Sequence, residues 1–379
     1  MAKRDIGTGE NIVAYPSYRN QLNKSLVWDF WQRIDYATPA QLPDLFRTAA
    51  HEDIDWNGSQ PLNQIIGIEA VVAQVWCPLR VSFPDLKRHT DIFLGGLSGG
   101  EEWIAARGYL IGTFVNDWLG IPATGRKTHI RFGQFYLMRD GKIAESYVLF
   151  DILDLIRQAG FQLLPPSQGA EGGKVIASMT GDGVLFIEQD PLETRKTAQL
   201  VRQMGRGLRR YNRDRDGGDL RSMSGGDQWH QHFHWYGPCG IGSCYTLAEY
   251  EDFHQRPWLE GFGDRNPNFT GGRILGIGDD TILAEGNYAA LGIWDTPYSR
   301  HNGTYMGLPA TGKIMTLRDF DWYRREGNYL VQNWVPIDMI DLFMQMGVDL
   351  FERLQIQIEE QKSYSNVPYP GIPTTSPCR

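Results

Sequence analysis

Cysteine is scarce in this chain, with four residues in 379. Cys77, Cys239, Cys244 and Cys378 are too scattered, and too unevenly shared between the halves, to describe a disulfide framework, so they read as reduced thiols. No apolar run approaches the length needed to span a bilayer, which excludes a helical membrane protein. The opening Met-Ala-Lys-Arg-Asp-Ile-Gly lacks the apolar stretch and small-residue cleavage site of a secretory signal, so the expected setting is cytoplasmic. Positive charge is also short: the formal net charge is −8. That argues against a nucleic acid as partner, because such binding rests largely on neutralising phosphates. One arginine cluster, Arg206, Arg209, Arg210, Arg213 and Arg215, is interleaved with Asp214 and Asp216 and reads as a solvated helix face.

What is plentiful is aromatic: 12 Trp, 17 Tyr and 17 Phe, enough for two small cores or for a flat-walled apolar pocket. The chain is too long for one ordinary core and suits two domains. An internal repeat confirms the division. Gly120-Ile-Pro-Ala-Thr-Gly125 recurs as Gly307-Leu-Pro-Ala-Thr-Gly312, and the register then holds without a gap to Gly160 and Gly347. Upstream, His51-Glu-Asp-Ile-Asp-Trp-Asn-Gly58 matches His230-Gln-His-Phe-His-Trp-Tyr-Gly237. The displacement is 179 residues in the early block and 187 in the late one, so copy two carries eight extra residues between them. The region Trp294–Tyr305 is expected to hold most of that insertion.

Each copy opens with helices and continues in a meander of alternating β-branched and aromatic strands. Thr38-Pro-Ala-Gln41 and Thr246-Leu-Ala-Glu249 are capping boxes, and Arg139-Asp-Gly-Lys142 is a hairpin turn. Helices first and a long meander after them predict an α+β fold. The expected boundaries are an N-terminal extension over 1–24, a first domain over 25–164 and a linker with a small hairpin over 165–191. A second domain over 192–362 and a proline-rich tail over 363–379 complete the chain.

Gly-hydrophobic-Pro-Ala-Thr-Gly, a strand, a Gly-Lys-Ile turn, a strand ending in Asp and then Leu-x-x-Gln-x-Gly together resemble the SnoaL-like polyketide cyclase family, of the nuclear-transport-factor-2-like superfamily. The resemblance implies two tandem cone-shaped domains, each a strongly bent antiparallel sheet backed by helices around an apolar cavity. It implies ring closure by aldol condensation, or a related isomerisation or dehydration of an apolar carbonyl compound, with no metal or organic cofactor. It places the acid–base Asp at Asp151 and Asp338. It also places a histidine at His301, where copy one has Phe114, so the second pocket is expected to be the better equipped. A small-molecule binder that kept the pocket and lost the chemistry is the alternative.

A carboxyl group in an apolar pocket suits such chemistry because desolvation raises its pKa toward the working pH. Alternation sets Asp338 on one strand face with Trp334, and Asp151 on one with Tyr147, which makes Trp334 and Tyr147 candidate substrate walls. Arg318 and Tyr305 are further candidates for binding substrate. Against this, an Asp just before a helix, with Asp154 or Asp341 three residues on, is also a ready N-cap. His230, His232 and His234 alternate along one strand, a geometry a metal could use. Copy one carries His51, Asp53 and Asp55 there, so no metal is assigned and His234 is taken as pocket lining. The copies are expected to meet as an internal pseudo-dimer. Self-association of the whole chain is left open.

Overall fold

The computed structural model describes residues 17–172, 180–210, 228–265 and 282–365. Part of the expected linking hairpin, Arg213 and Arg215 of the arginine cluster, and most of the proline-rich tail with Cys378 lie outside these residues. The first helix, α1 (Ser17–Ile34), begins earlier than the sequence reading placed it. After α2 (Leu42–Ala49) come β1 (Ala50–Gly58) and the short β2 (Gln64–Ile66), then helical residues 68–82. β3 (Lys87–Ser98), β4 (Glu101–Thr113), β5 (Lys127–Arg139) and β6 (Lys142–Phe150) form the meander, and α3 (Ile152–Gln158) closes it. The six strands run in the order β2-β1-β6-β5-β4-β3.

The second domain repeats this plan. It is led by the helix Pro191–Arg210 and contains β7 (Trp229–Tyr236), β8 (Ser243–Cys244), β9 (Asp264–Arg265) and β10 (Leu283–Glu285). β11 (Tyr288–Arg300), β12 (Ile314–Glu326) and β13 (Tyr329–Trp334) follow. The order is β10-β11-β12-β13-β7-β8, with β9 on β11. The sheets are mixed rather than antiparallel throughout: β1 lies parallel to β6, and β7 parallel to β13. The reason is topological. The chain leaves the first long strand, crosses the sheet through a helix to the far edge, and meanders back to end beside its starting strand.

The repeat also relocates the insertion. β4 and β11 are each 13 residues long and stand 187 apart, the later displacement. The helical stretches Val72–Trp76 and Glu251–Gln255 still stand 179 apart. The extra residues therefore enter between the helix Arg256–Gly261 and β11, and not over Trp294–Tyr305. Both of those stretches are π-helical, and Pro78 and Pro257 follow just after them. A proline cannot donate the next i→i−4 bond, so a widened turn is accommodated there.

Each long strand buries both of its faces. One face packs under the helices; the other packs against the sheet of the other domain. Phe135 meets Phe320 at 4.9 Å and Trp322 at 5.3 Å, and Tyr147 meets Trp294 at 5.5 Å between ring centroids. The approach is close enough that a Cβ on Gly133 would come within 2.6 Å of the Trp322 ring. Trp334 and Tyr147 belong to this inter-sheet core, where each buried large side chain contributes about 1.5–3 kcal/mol. At one end of the interface Lys24 of α1 is fully buried, and its Nζ lies 2.5 Å from Glu285 Oε1 on β10. Glu285 also accepts from Gly95 N at 2.9 Å and from Asn20 Nδ2 at 3.2 Å. No helix of the described residues is long and apolar enough to cross a membrane.

Candidate functional site

The strand-end aspartates lie at the domain interface. Asp151 caps α3 by accepting from Asp154 N at 3.1 Å, binds Arg131 Nη2 at 2.7 Å, and accepts from Cys239 N of the second domain at 3.1 Å. Asp338 caps the helix Met339–Gln345 through Asp341 N at 3.1 Å and accepts from Gln60 N of the first domain at 2.8 Å. Arg318 Nη1 lies 3.4 Å from it. Gln60 and Cys239 are themselves repeat equivalents, so the two contacts are a pseudo-symmetric pair. Burial, with Asp341 adding to it, pushes the Asp338 carboxyl up to about 6, against Arg318 and the two amides. Burial raises Asp151 as well.

The other sequence candidates are spread out. Arg318 lies over the Trp294 ring at 5.2 Å and pairs with Asp295 at 2.7 Å, beside an interdomain cavity of about 320 Å³ that Asn57 and Asn63 also line. His234 is 3.0 Å from the Tyr236 hydroxyl, on the strand face away from the helices. Among the described residues, no group of three or more His, Cys, Asp and Glu is arranged to hold a metal. Tyr305 is buried beneath the helices, with Trp258 at 5.6 Å and Phe262 at 5.0 Å. His301 is fully buried, 5.2 Å from Phe262. Its Nδ1 lies 3.3 Å from Thr311 N and 3.1 Å from Thr311 Oγ1, and its Nε2 is buried. In copy one the equivalent pair is Phe83 stacked on Phe114 at 4.6 Å.

The residues best suited to chemistry are ones the motifs did not single out. β12 is a middle strand, and its helix-facing positions run Met315, Leu317, Asp319, Asp321, Tyr323. Side chains two apart on a strand stand about 7 Å apart on one face. Asp321 Oδ1 accepts from the Tyr323 hydroxyl and from Asn333 Nδ2, each at 3.0 Å. Asp319 Oδ1 is buried with no partner. Both residues keep some accessible surface while being strongly desolvated. Burial pushes Asp321 up to about 6, although its two hydrogen bonds oppose this. Burial and the neighbouring Asp321 charge push Asp319 well above the usual carboxylate range. Both carboxyl groups are thus driven toward the neutral form, Asp319 further than Asp321, the pattern an acid–base pair would use.

Aromatic residues adjoin this pair. Asn333 is in register with Trp235, and His254 stacks on Trp235 at 4.1 Å. Burial holds the His254 imidazole neutral, with its pKa lowered to about 3, and its Nδ1 has no partner. His254 lies in the π-helical stretch, a deformation often found at functional sites. The sequence signal for the pair was available: Asp-x-Asp at helix-facing positions of a central strand, where copy one has Phe132 and Gln134.

A family model described as SnoaL-like polyketide cyclase matches residues 29–159. The first domain is a SnoaL-like domain. The second domain repeats its strand order, so two domains of this plan stand in tandem. A SnoaL-like protein from Jannaschia sp. CCS1 is 20% identical over 39% of this chain and 95% of its own, with a TM-score of 0.32. TsrD from Streptomyces laurentii is 24% identical over 36% of this chain and 96% of its own, with a TM-score of 0.30. A SnoaL-like polyketide cyclase from Agrobacterium tumefaciens is 18% identical over 36% and 98%, with a TM-score of 0.30. No curated protein matches the chain.

The interface role of the strand-end aspartates can be measured. Asp338→Ala removes a helix cap and leaves the Gln60 amide and Arg318 short of an acceptor. A loss of about 2–3 kcal/mol is expected in urea unfolding. A loss below about 0.5 kcal/mol would mean that the contact is not a structural one.

Proposed function

We propose that the second domain is a cofactor-independent acid–base catalyst acting on a small to medium apolar carbonyl compound, by cyclisation, isomerisation or dehydration. The observation that carries this reading is the Asp319–Asp321 pair on β12, with Tyr323 and Asn333 on Asp321. As carboxylate, Asp321 takes a proton from the carbon beside a substrate carbonyl, and the C–H electron pair moves into the enolate. Asp319, kept neutral, donates a hydrogen bond to the enolate oxygen. The enolate carbon then attacks a second carbonyl, and the proton returns to the new alkoxide. For an isomerisation the proton returns to carbon instead. His254 and His301 are neutral ring donors or acceptors near the same aromatic wall, and Tyr305 belongs to that wall.

In this reading Asp338 and Asp151 are structural, since their oxygens are committed to backbone amides and arginines. The expected asymmetry between the domains stays, carried by Asp319 and Asp321 facing Phe132 and Gln134 rather than by His301 alone. A binding role without chemistry then suits the first domain. The proposed partner is a small molecule, not a nucleic acid or membrane, and the proposed setting is the cytoplasm.

The test is a screen of aromatic and polycyclic ketones for turnover, followed by a pH profile. Because the active form of Asp321 is the carboxylate, kcat/KM is expected to rise as pH rises through about 6 and then level off. A profile flat from pH 4 to 8 on a genuine substrate would remove Asp321 as the base.

A further inference from the structure

The helix-facing side of the first domain holds a buried cation in place of the carboxylates. The Arg88 guanidinium lies over the Trp31 ring at 4.4 Å and over the Phe132 ring at 4.3 Å. Its one hydrogen bond is from Nη1 to Gln134 Oε1, at 3.2 Å. Asp35 accepts from the Arg88 backbone N–H at 2.9 Å and its charge favours the guanidinium, but no direct ion pair to the guanidinium is formed among the described residues. Burial works against its charge. A desolvated charge without a counter-ion is costly, and a guanidinium has five donors to satisfy.

Arg88 also lines a recess of about 240 Å³ between α1 and β3, together with Trp28, Trp31, Gln32, His89 and Thr90. Beside it, Gln134 Nε2 is buried without a partner, on a residue only 2% exposed. Ser146 Oγ, on the next strand, is likewise buried and unpartnered. The recess therefore has indole walls and a planar cation with unused donors, and the Gln134 amide lies behind that cation.

We propose that the first domain is a binding site for a small planar aromatic carboxylate, whose carboxylate pairs with Arg88 and whose ring lies against Trp28 and Trp31. The fork of a guanidinium matches two carboxylate oxygens, and the anion supplies the direct ion pair that Asp35 does not make. Gln134 Nε2 is positioned to donate a further bond after a small rotation. The site is independent of the acid–base reading of the second domain and would stand if that reading failed.

The test is titration of the full chain with sodium 2-naphthoate, 2-naphthamide and inorganic phosphate, followed by calorimetry and tryptophan fluorescence. Naphthoate is expected to bind at least tenfold more tightly than naphthamide or phosphate. Arg88→Gln is expected to lose that preference, Arg88→Lys to weaken binding, and Asp321→Asn to bind naphthoate as the wild type does. The proposal is overturned if naphthoate and naphthamide bind equally, if phosphate alone binds as well, or if Arg88→Gln keeps wild-type affinity. It is also overturned if the naphthoate site is lost in Asp321→Asn. The comparison of carboxylate with amide on the unaltered protein decides the matter even if the Arg88 variants fold poorly.

Discussion

Asp321→Asn is expected to lower kcat by about a hundredfold to ten-thousandfold on any substrate the chain turns over, the usual worth of a positioned acid or base. The amide keeps the shape and can still accept from Tyr323 and Asn333 through its carbonyl oxygen, so packing should survive. Stability should move the other way. The folded-state pKa of Asp321 is raised to about 6, above the ordinary value of 3.8. The folded protein thus holds a proton that the unfolded chain releases between those values. Its contribution to stability is full below about pH 4 and is lost as pH rises through about 6. At pH 7.5 the native carboxylate is a liability, and its amide should raise Tm or leave it unchanged. Loss of turnover with no loss of Tm is the signature of a residue kept for chemistry. If Asp338→Asn abolishes turnover while Asp321→Asn leaves it intact, the base has been placed on the wrong residue.

Lys24→Met should be the most destabilising single change at the domain interface, at about 3–5 kcal/mol. It strands the buried Glu285 carboxylate with only Gly95 N and Asn20 for partners. Removing one member of a buried ion pair costs far more than replacing both, because the remaining charge has neither water nor a counter-ion. The double variant Lys24→Met, Glu285→Gln is therefore expected to recover much of the loss. Urea unfolding at neutral pH measures both. A single-variant loss below about 1 kcal/mol would show that the pair adds little to docking of the two domains.

The two halves differ in what they place on equivalent helix-facing positions. Phe132, Gln134 and Ser146 in the first answer to Asp319, Asp321 and Asn333 in the second. One scaffold thus carries a desolvated cation in one copy and a desolvated acid pair in the other. Duplication makes that division available, since either copy can change its interior while the shared interface keeps both folded.

The repeat, the order of elements, the Asp-Gly hairpin turn and the N-cap positions of Asp151 and Asp338 were all legible in the sequence. Each is set by local chemistry: positive φ at a turn, an acceptor before a helix, and matching residues at a fixed displacement. Alternation also set Asp338 on one face with Trp334, and Asp151 on one with Tyr147. It could not tell which face looks toward the helices. In a sheet with one wet side the polar set marks the outside, but here the second sheet covers that side too. Both sets are therefore largely buried, and both mix aromatic and acidic residues: Tyr323 with Asp319 and Asp321 on one, Trp322 and Trp334 with Asp338 on the other. Only packing of one sheet on the other decided that Trp334 and Asp338 belong to the interface, while Asp319, Asp321 and Tyr323 face the helices.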